Sequence, residues 1–286
     1  MFILFDIGGT KMRFACSKDG QSFEAVHVEP TPVADFDLGM SRFEEIVREL
    51  AGGTPIKGII GGIAGALDEN KSRLIASPHI RGWVEKPLKK ILQTKFNVPV
   101  MLENDADLVG LGEAAHGAGR GHLIVSYLTV STGVGGTRIV DCRIDKNVYG
   151  FEPGHQIISL GDSHCPGCGG KGDLESFISG SAIEERLGVH AASIPQDDPV
   201  WQELARYLAI GLHNTTLYWS PNIIVVGGSM MTGNPCIPFD VAEMHFKRIM
   251  KIFPFLPQLK LAELKDEGGL YGGLVLAREL FGSQIS

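Results

Sequence analysis

The chain is short of the features that would place it in a membrane, outside the cell or on a nucleic acid. No apolar run approaches the ~20 residues that a membrane-crossing helix needs. The opening MFILFDIGG carries neither a basic stretch nor a small-residue cleavage site, so no secretory signal is read. Cysteine is scarce: there are five in 286 residues, an odd number with two in a metal-like pair, which points to thiols in a reducing cytoplasm. Basic residues are outnumbered, 26 against 33 acidic ones, and a net charge of -7 offers no general attraction to nucleic acid or anionic lipid. Low-complexity tracts and Pro/Ser tethers are missing too, so two domains should be joined at a hinge. What the composition holds, 44% hydrophobic and 21% charged residues, builds one large core or two moderate ones and excludes disorder.

Apolar runs that end in glycine or acid recur along the chain. FILFDIGG reads as a strand closed by Asp6 and two glycines, with KMRFACS as the return arm of a hairpin. KGIIGGIAGALD is a buried strand running into a glycine turn, and VPVMLEND is another strand that ends in acid. Helical patterns lie in DLGMSRFEEIVRELAGG, PLKKILQTKFN, the small-residue-rich ADLVGLGEAAHGAG, DPVWQELARYLAIGLHNTTLYWS and the closing GGLYGGLVLARELF. HLIVSYLTVSTGVGGTRIV repeats the strand, turn and returning strand of the opening, as an internal duplication would; two unrelated hairpins are the alternative. NIIVVGGS supplies one more strand and glycine turn.

Three glycine turns therefore follow apolar strands: Asp6 to Lys11 (DIGGTK), Ser131 to Gly136 (STGVGG) and Gly227 to Ser229 (GGS). Open N–H groups, threonine hydroxyls and a lysine in such turns suit phosphate oxygens. None of the three fits the GxxxxGK[ST] or GxGxxG pattern, which argues against those nucleotide folds. ENDAD, residues 103–107, puts Asn104 and Asp105 where a strand ends, the place where open α/β sheets bind ligands. Asp105 can accept a hydroxyl proton while Asn104 bonds the same substrate, yet both residues equally suit a helix N-cap, and spacing does not choose. FEPGHQ adds Glu152 and His155, and Glu175 ends the cysteine segment HCPGCGGKGDLE. Such a set is dense in acceptors, as a polyhydroxy ligand requires.

In order, DIGGTK, GGIAGALD, ENDA, GEAAHGAGRG, STGVGG, EPGH and the CxxC-to-GDLE segment resemble the ROK family of sugar kinases and repressors, from Asp6 to about Gly273. The resemblance implies an α/β, actin-like and ribonuclease-H-like ATPase fold of two duplicated lobes with a central active-site cleft. The expected lobes are 1–106 with about 268–286, and 107–267, the latter carrying the cysteine segment. It also implies an ATP-dependent hexose kinase. Glucose, phosphorylated on its 6-OH, comes first among substrates, ahead of N-acetylglucosamine, N-acetylmannosamine, mannose and fructose. Repressors of the family carry an added N-terminal helix-turn-helix, for which a strand beginning at Phe2 leaves no room. Intact DIGGTK, ENDA and STGVGG speak against a non-catalytic sugar sensor. A cytoplasmic homodimer is expected, with no nucleic acid or membrane partner.

Residue by residue, the resemblance makes Asp105 the catalytic base and Gly65, Asn104, Asp105, Glu152, His155 and Glu175 the sugar-binding set. Gly8, Gly9, Thr10 and Lys11 would face the ATP phosphates from one lobe, Thr132 and Gly133 from the other. Gly227 and Gly228 would border the adenosine, and Asp6 would order Mg2+ or its waters. The family's zinc segment is a histidine followed by CxCGxxGC. Here Cys165 lies one residue further upstream and Asp173 replaces the last thiolate. His155, Cys165, Cys168 and Asp173 could still complete a structural Zn2+ tetrahedron, with His164 as a substitute. Two departures stand out: His79 where the family often has asparagine after proline, and Thr137 where a third glycine is common.

Overall fold

A computed structural model of the chain describes residues 1–281 apart from 25, 78, 161–168 and 171. The opening apolar run forms β1 (Phe2–Ile7), buried along its whole length, as a strand covered on both faces must be. It pairs antiparallel with β2 (Lys11–Ser17), which pairs antiparallel with the short, alternately exposed β3 (His27–Pro30). On its other side β1 runs parallel to β4 (Gly58–Ile63). After the small hairpin of β5 (Ala66–Leu67) and β6 (Leu74–Ala76), β7 (Val100–Asn104) pairs parallel with β4 and completes the order β3-β2-β1-β4-β7.

The second sheet repeats this plan. β8 (Ile124–Val130) is antiparallel to β9 (Val134–Val140), and β9 to β10 (Arg143–Ile144). β8 is parallel to β11 (Ile223–Gly227), and β11 to β12 (Gln258–Leu261), giving β10-β9-β8-β11-β12. Three antiparallel strands followed by two parallel ones, in the same order twice, is the duplication that the two hairpins suggested.

Helices cross over between the parallel strands. α1 (Phe36–Ala51) starts at Asp35, whose side chain accepts the Leu38 N–H, and stops at Gly52 in the left-handed conformation. α2 (Leu88–Phe96) stops in the same way at Asn97, and α3 (Asp105–His116) leaves directly from β7. In the second half come α4 (Glu175–Ile178), α5 (Gly180–Leu187), the long α6 (Val200–Trp219), α7 (Ser229–Thr232) and α8 (Phe239–Ile249). α9 (Gly268–Phe281) closes the described chain. No helix among the described residues is long and apolar enough to cross a membrane.

The chain divides into Met1–Ala115 with the segment from Asp266 on, and His116–Lys265. The first boundary falls at the last residue of α3, which packs within the first unit. Gly112 lies so close to α9 that a Cβ there would overlap the Gly268 carbonyl, and one at Gly272 would overlap that of Leu108. Each unit has its own core. In the first, Phe43 of α1 meets Phe5 and Phe14 edge to face at 5.1 and 5.0 Å. In the second, Trp201, Leu204, Leu208 and Leu212 of α6 pack with Leu128, Val130 and Val226 of the sheet. Each such fully buried side chain stabilises its unit by about 1.5–3 kcal/mol.

Candidate active site

In the first unit the carboxyl ends of β1, β4 and β7 bring together the turn 8–11, Gly65, Asn104 and two carboxyls. Asn104 takes up the capping role. Its Oδ1 accepts the N–H groups of Ala106 (2.8 Å) and Asp107 (3.2 Å), and its Nδ2 donates to Gly65 O (3.1 Å). It caps α3 and pins the Gly65 peptide, where φ is +131° and a Cβ would lie 2.5 Å from Ala76 O. The capping task being met, Asp105 stands half-buried as the first residue of α3. Burial raises its pKa above the ordinary carboxylate range, against the pull of the Ala106 amide and of His79.

Asp6 is 8% exposed, and its pKa is pushed up to about 7, first by burial and then by the charge of Asp105; Asp266 adds to the rise and Arg13 opposes it. Arg13 in turn pairs with Asp266 at 2.8 Å. A Cβ at Gly269 would lie 2.9 Å from Asp6 Cγ, so the carboxyl abuts the first turn of α9, whose dipole favours negative charge. The turn beside it is braced. Gly8 N–H donates to Lys11 O (3.0 Å), the Thr31 hydroxyl to Gly8 O (2.7 Å) and Thr31 N–H to Thr10 O (3.0 Å). Gly9 backs onto His79, whose Cβ would be 2.7 Å from a Cβ at Gly9. Thr10 and Lys11 are exposed.

The second unit gathers the other turns. Ser131 and Ser229 share a hydroxyl hydrogen bond of 2.9 Å, which joins STGVGG to GGS. Gly180 N–H donates to Ser131 O (2.8 Å) and Ser181 N–H to Thr132 O (3.1 Å), so the first amides of α5 are spent on the carbonyls of the Thr132–Gly133 turn. Gly228 has φ +91°, and a Cβ there would overlap Val130 O; Gly227 lies over the Tyr127 hydroxyl. Glu175 is 9% exposed, and its Oε2 accepts Val134 N–H at 2.7 Å. Gly154, in the one-turn helix Pro153–His155, touches the carbonyl of the same Val134. Glu175 and the Glu152–His155 segment are thus both anchored to the strand that leaves the phosphate-type turn.

His155 Nδ1 bonds Asp173 Oδ2 at 3.0 Å, while its Nε2 lies 3.9 Å from Glu152 Oε2. Burial works against its charge, but the Asp173 bond and the carboxylates of Glu175 and Glu152 prevail and raise its pKa. Burial likewise opposes the Asp173 charge, and the His155 bond with the Ser176 N–H lowers its pKa nonetheless. Only His155 and Asp173 of the expected zinc set lie among the described residues. Cys165 and Cys168, and the substitute His164, lie outside the described residues. The two described ligands are bonded to each other, Asp173 Oδ1 is occupied by Ser176 N–H (2.9 Å), and among the described residues no group of three or more His, Cys, Asp or Glu could hold a metal.

Some of these supports escape a reading by motif. Thr31 and Ser181 act through backbone contacts across long stretches of chain, and only the Ser179-Gly180-Ser181 run, typical of a helix start, hints at the second.

Two units of one strand order, each with a glycine hairpin between its first two strands, define the two-lobed actin-like ATPase fold. The chain matches the ROK family over residues 3–280 and belongs to it. It is similar to a ROK hexokinase from Thermus thermophilus, with 28% identity, 99% of each chain covered and a TM-score of 0.84. A ROK family glucokinase from Streptomyces griseus, solved in complex with glucose and AMPPNP, is 28% identical with a TM-score of 0.80 over 97% of this chain and 99% of that one. A glucokinase of Streptomyces coelicolor is 27% identical over 96% of both chains.

Proposed function

We propose that the protein is an ATP-dependent hexose kinase that phosphorylates the 6-OH of glucose, with Asp105 as the base. The carrying observation is the division of labour at the end of β7: Asn104 caps α3, and Asp105 is left half-buried with a raised pKa, as a proton acceptor requires. The glucokinase likeness, and the glucose and AMPPNP bound to the Streptomyces griseus relative, support the choice of sugar and donor. Gly65, Asn104, Glu152, His155 and Glu175 are assigned to the sugar. Gly8, Gly9, Thr10, Lys11, Thr132 and Gly133 are assigned to the phosphates, and Gly227 and Gly228 to the adenosine. A cytoplasmic homodimer belongs to the same reading.

Phosphoryl transfer passes through a loose, in-line transition state, so positioning and charge stabilisation supply most of the acceleration. Asp105 takes the proton of the attacking hydroxyl. Asp6 is the side chain that would hold Mg2+ or its waters, because its buried carboxyl feels the charge of Asp105, a setting that a cation would relieve. Bound magnesium supplies charge neutralisation on the ATP phosphates.

A panel of hexoses and N-acetylhexosamines assayed for ADP formation with ATP and Mg2+ tests the activity and ranks the substrates. N-acetylglucosamine, N-acetylmannosamine, fructose or mannose ahead of glucose would replace the glucose assignment, and no sugar-dependent ADP would indicate a non-catalytic regulator. Asp105→Asn is expected to keep sugar binding and lower kcat at least ~100-fold. Near-normal turnover would remove Asp105 from its role.

A further inference from the structure

We infer that Asp173 is a positioning residue that holds His155 by Nδ1, so that Nε2 faces the sugar and this wall of the second unit is set by an imidazole–carboxylate pair. This rests on the reading of His155 as a sugar ligand. The pair is fixed from both sides. Segments 156–159 and 172–174 form a short ladder: Leu174 N–H donates to Gln156 O (3.0 Å), Ile158 N–H to Gly172 O (2.9 Å), and Ile157 bridges Asp173 antiparallel. That ladder puts Asp173, 2% exposed, beside a histidine 18 residues earlier in the chain.

The Asp173 carboxylate is divided. Oδ1 accepts Ser176 N–H at 2.9 Å, its main-chain oxygen accepts the Ser176 hydroxyl at 2.6 Å, and Oδ2 meets His155 at 3.0 Å. A carboxylate can only accept, so the ring nitrogen facing it must carry a hydrogen. In the neutral ring Nδ1 is then the N–H, and Nε2 is an acceptor ready for a sugar hydroxyl. Glu175, two residues on, is tied to Val134 N–H. One five-residue run, 172–176, thus orients one sugar ligand and supplies another.

Asp173→Asn separates this from a purely structural role. The amide oxygen can keep the Ser176 cap, while the amide nitrogen donates to Nδ1 and drives the ring proton to Nε2. Nitrogen-15 NMR of the histidine-labelled full chain, at a pH where the ring is neutral, is expected to show the Nδ1–H tautomer for His155 in the wild type and the Nε2–H tautomer in D173N. The glucose KM should rise about tenfold, the scale of one mispaired buried hydrogen bond, with the ATP KM and the melting temperature unchanged. The same tautomer in both proteins, an unchanged glucose KM in D173N, or a wild-type Nδ1–H signature that appears only after the purified protein is treated with EDTA would each overturn the proposal. If the wild type phosphorylates no sugar, the kinase reading fails, and the tautomer pair alone then decides for or against the clamp.

Discussion

The hairpin β1–β2 and the hairpin β8–β9 occupy the same place in sheets of the same order, yet their turns have become different instruments. β1 brings a buried Asp6 to its turn, where β8 brings Thr129, and β7 ends in Asn104 and α3, where β12 runs on into Ala262 and Glu263. The first turn is braced by Thr31 and His79 and lies in an acidic setting. The second is braced by the first amides of α5 and by Ser229, and its returning strand anchors Glu175 and the Glu152–His155 segment. In the proposed kinase, one duplicated scaffold would hold proton and cation chemistry in one copy and recognition in the other. The topology permits both; the residues at the strand ends decide.

The contrast can be broken hardest at Asp105, where asparagine should lower kcat by at least ~100-fold, while no residue of the second unit should match that loss without also weakening binding. Next comes the turn geometry. Gly228→Ala places a Cβ on the Val130 carbonyl at φ +91° and should cost about 2 kcal/mol or more in urea unfolding, whereas Gly8→Ala, with 3.6 Å to Lys11 O, should stay within ~0.5 kcal/mol. Asp6 gives a third measure. Its folded pKa of about 7 lies above the ordinary 3.8, so the folded state binds the extra proton, and this group's contribution to stability falls as pH rises from about 4 to 7. A cation needs the deprotonated form, so Mg·ADP affinity, followed by calorimetry, should weaken by up to about tenfold per pH unit below 7. Asp6→Asn should abolish that slope and raise the melting temperature of the ligand-free protein at pH 8 by a few degrees. The smallest effect belongs to the Arg13–Asp266 pair, whose aspartate is 76% exposed. Asp266→Asn should cost under ~1 kcal/mol, less still in high salt.

Much of this was legible because local pattern and tertiary role coincide. The buried runs of β1, β4 and β11 are apolar but for Asp6, the long helices carry clear caps or stops, and the glycine turns sit at strand ends. β3 and β12 were passed over because they are four-residue edge strands that are mostly exposed, with too few apolar positions to show a period. α8 was missed as well; only Ala242 and Phe246 are buried on it. Within the site, Asn104 is where local reasoning stops, since a cap and a ligand use the same atoms and only the Gly65 carbonyl shows how they are shared. His155 and Asp173 show the same limit. Their spacing suits a metal clip, and nothing short of three dimensions reveals that the two meet each other.

The backbone-to-backbone seam of α3 and α9 has a consequence for how the chain comes to its native state. α3 begins with Asp105 and α9 begins beside Asp6, so the two carboxyls are held by segments that flank the whole second unit in the chain. The second unit is continuous and can collapse on its own contacts as soon as it is synthesised. The first must wait for its last helix and then close a loop as long as that unit, an entropic toll that folding the insert first sharply shortens. The continuous unit is therefore expected to mature before the interrupted one that carries both carboxyls.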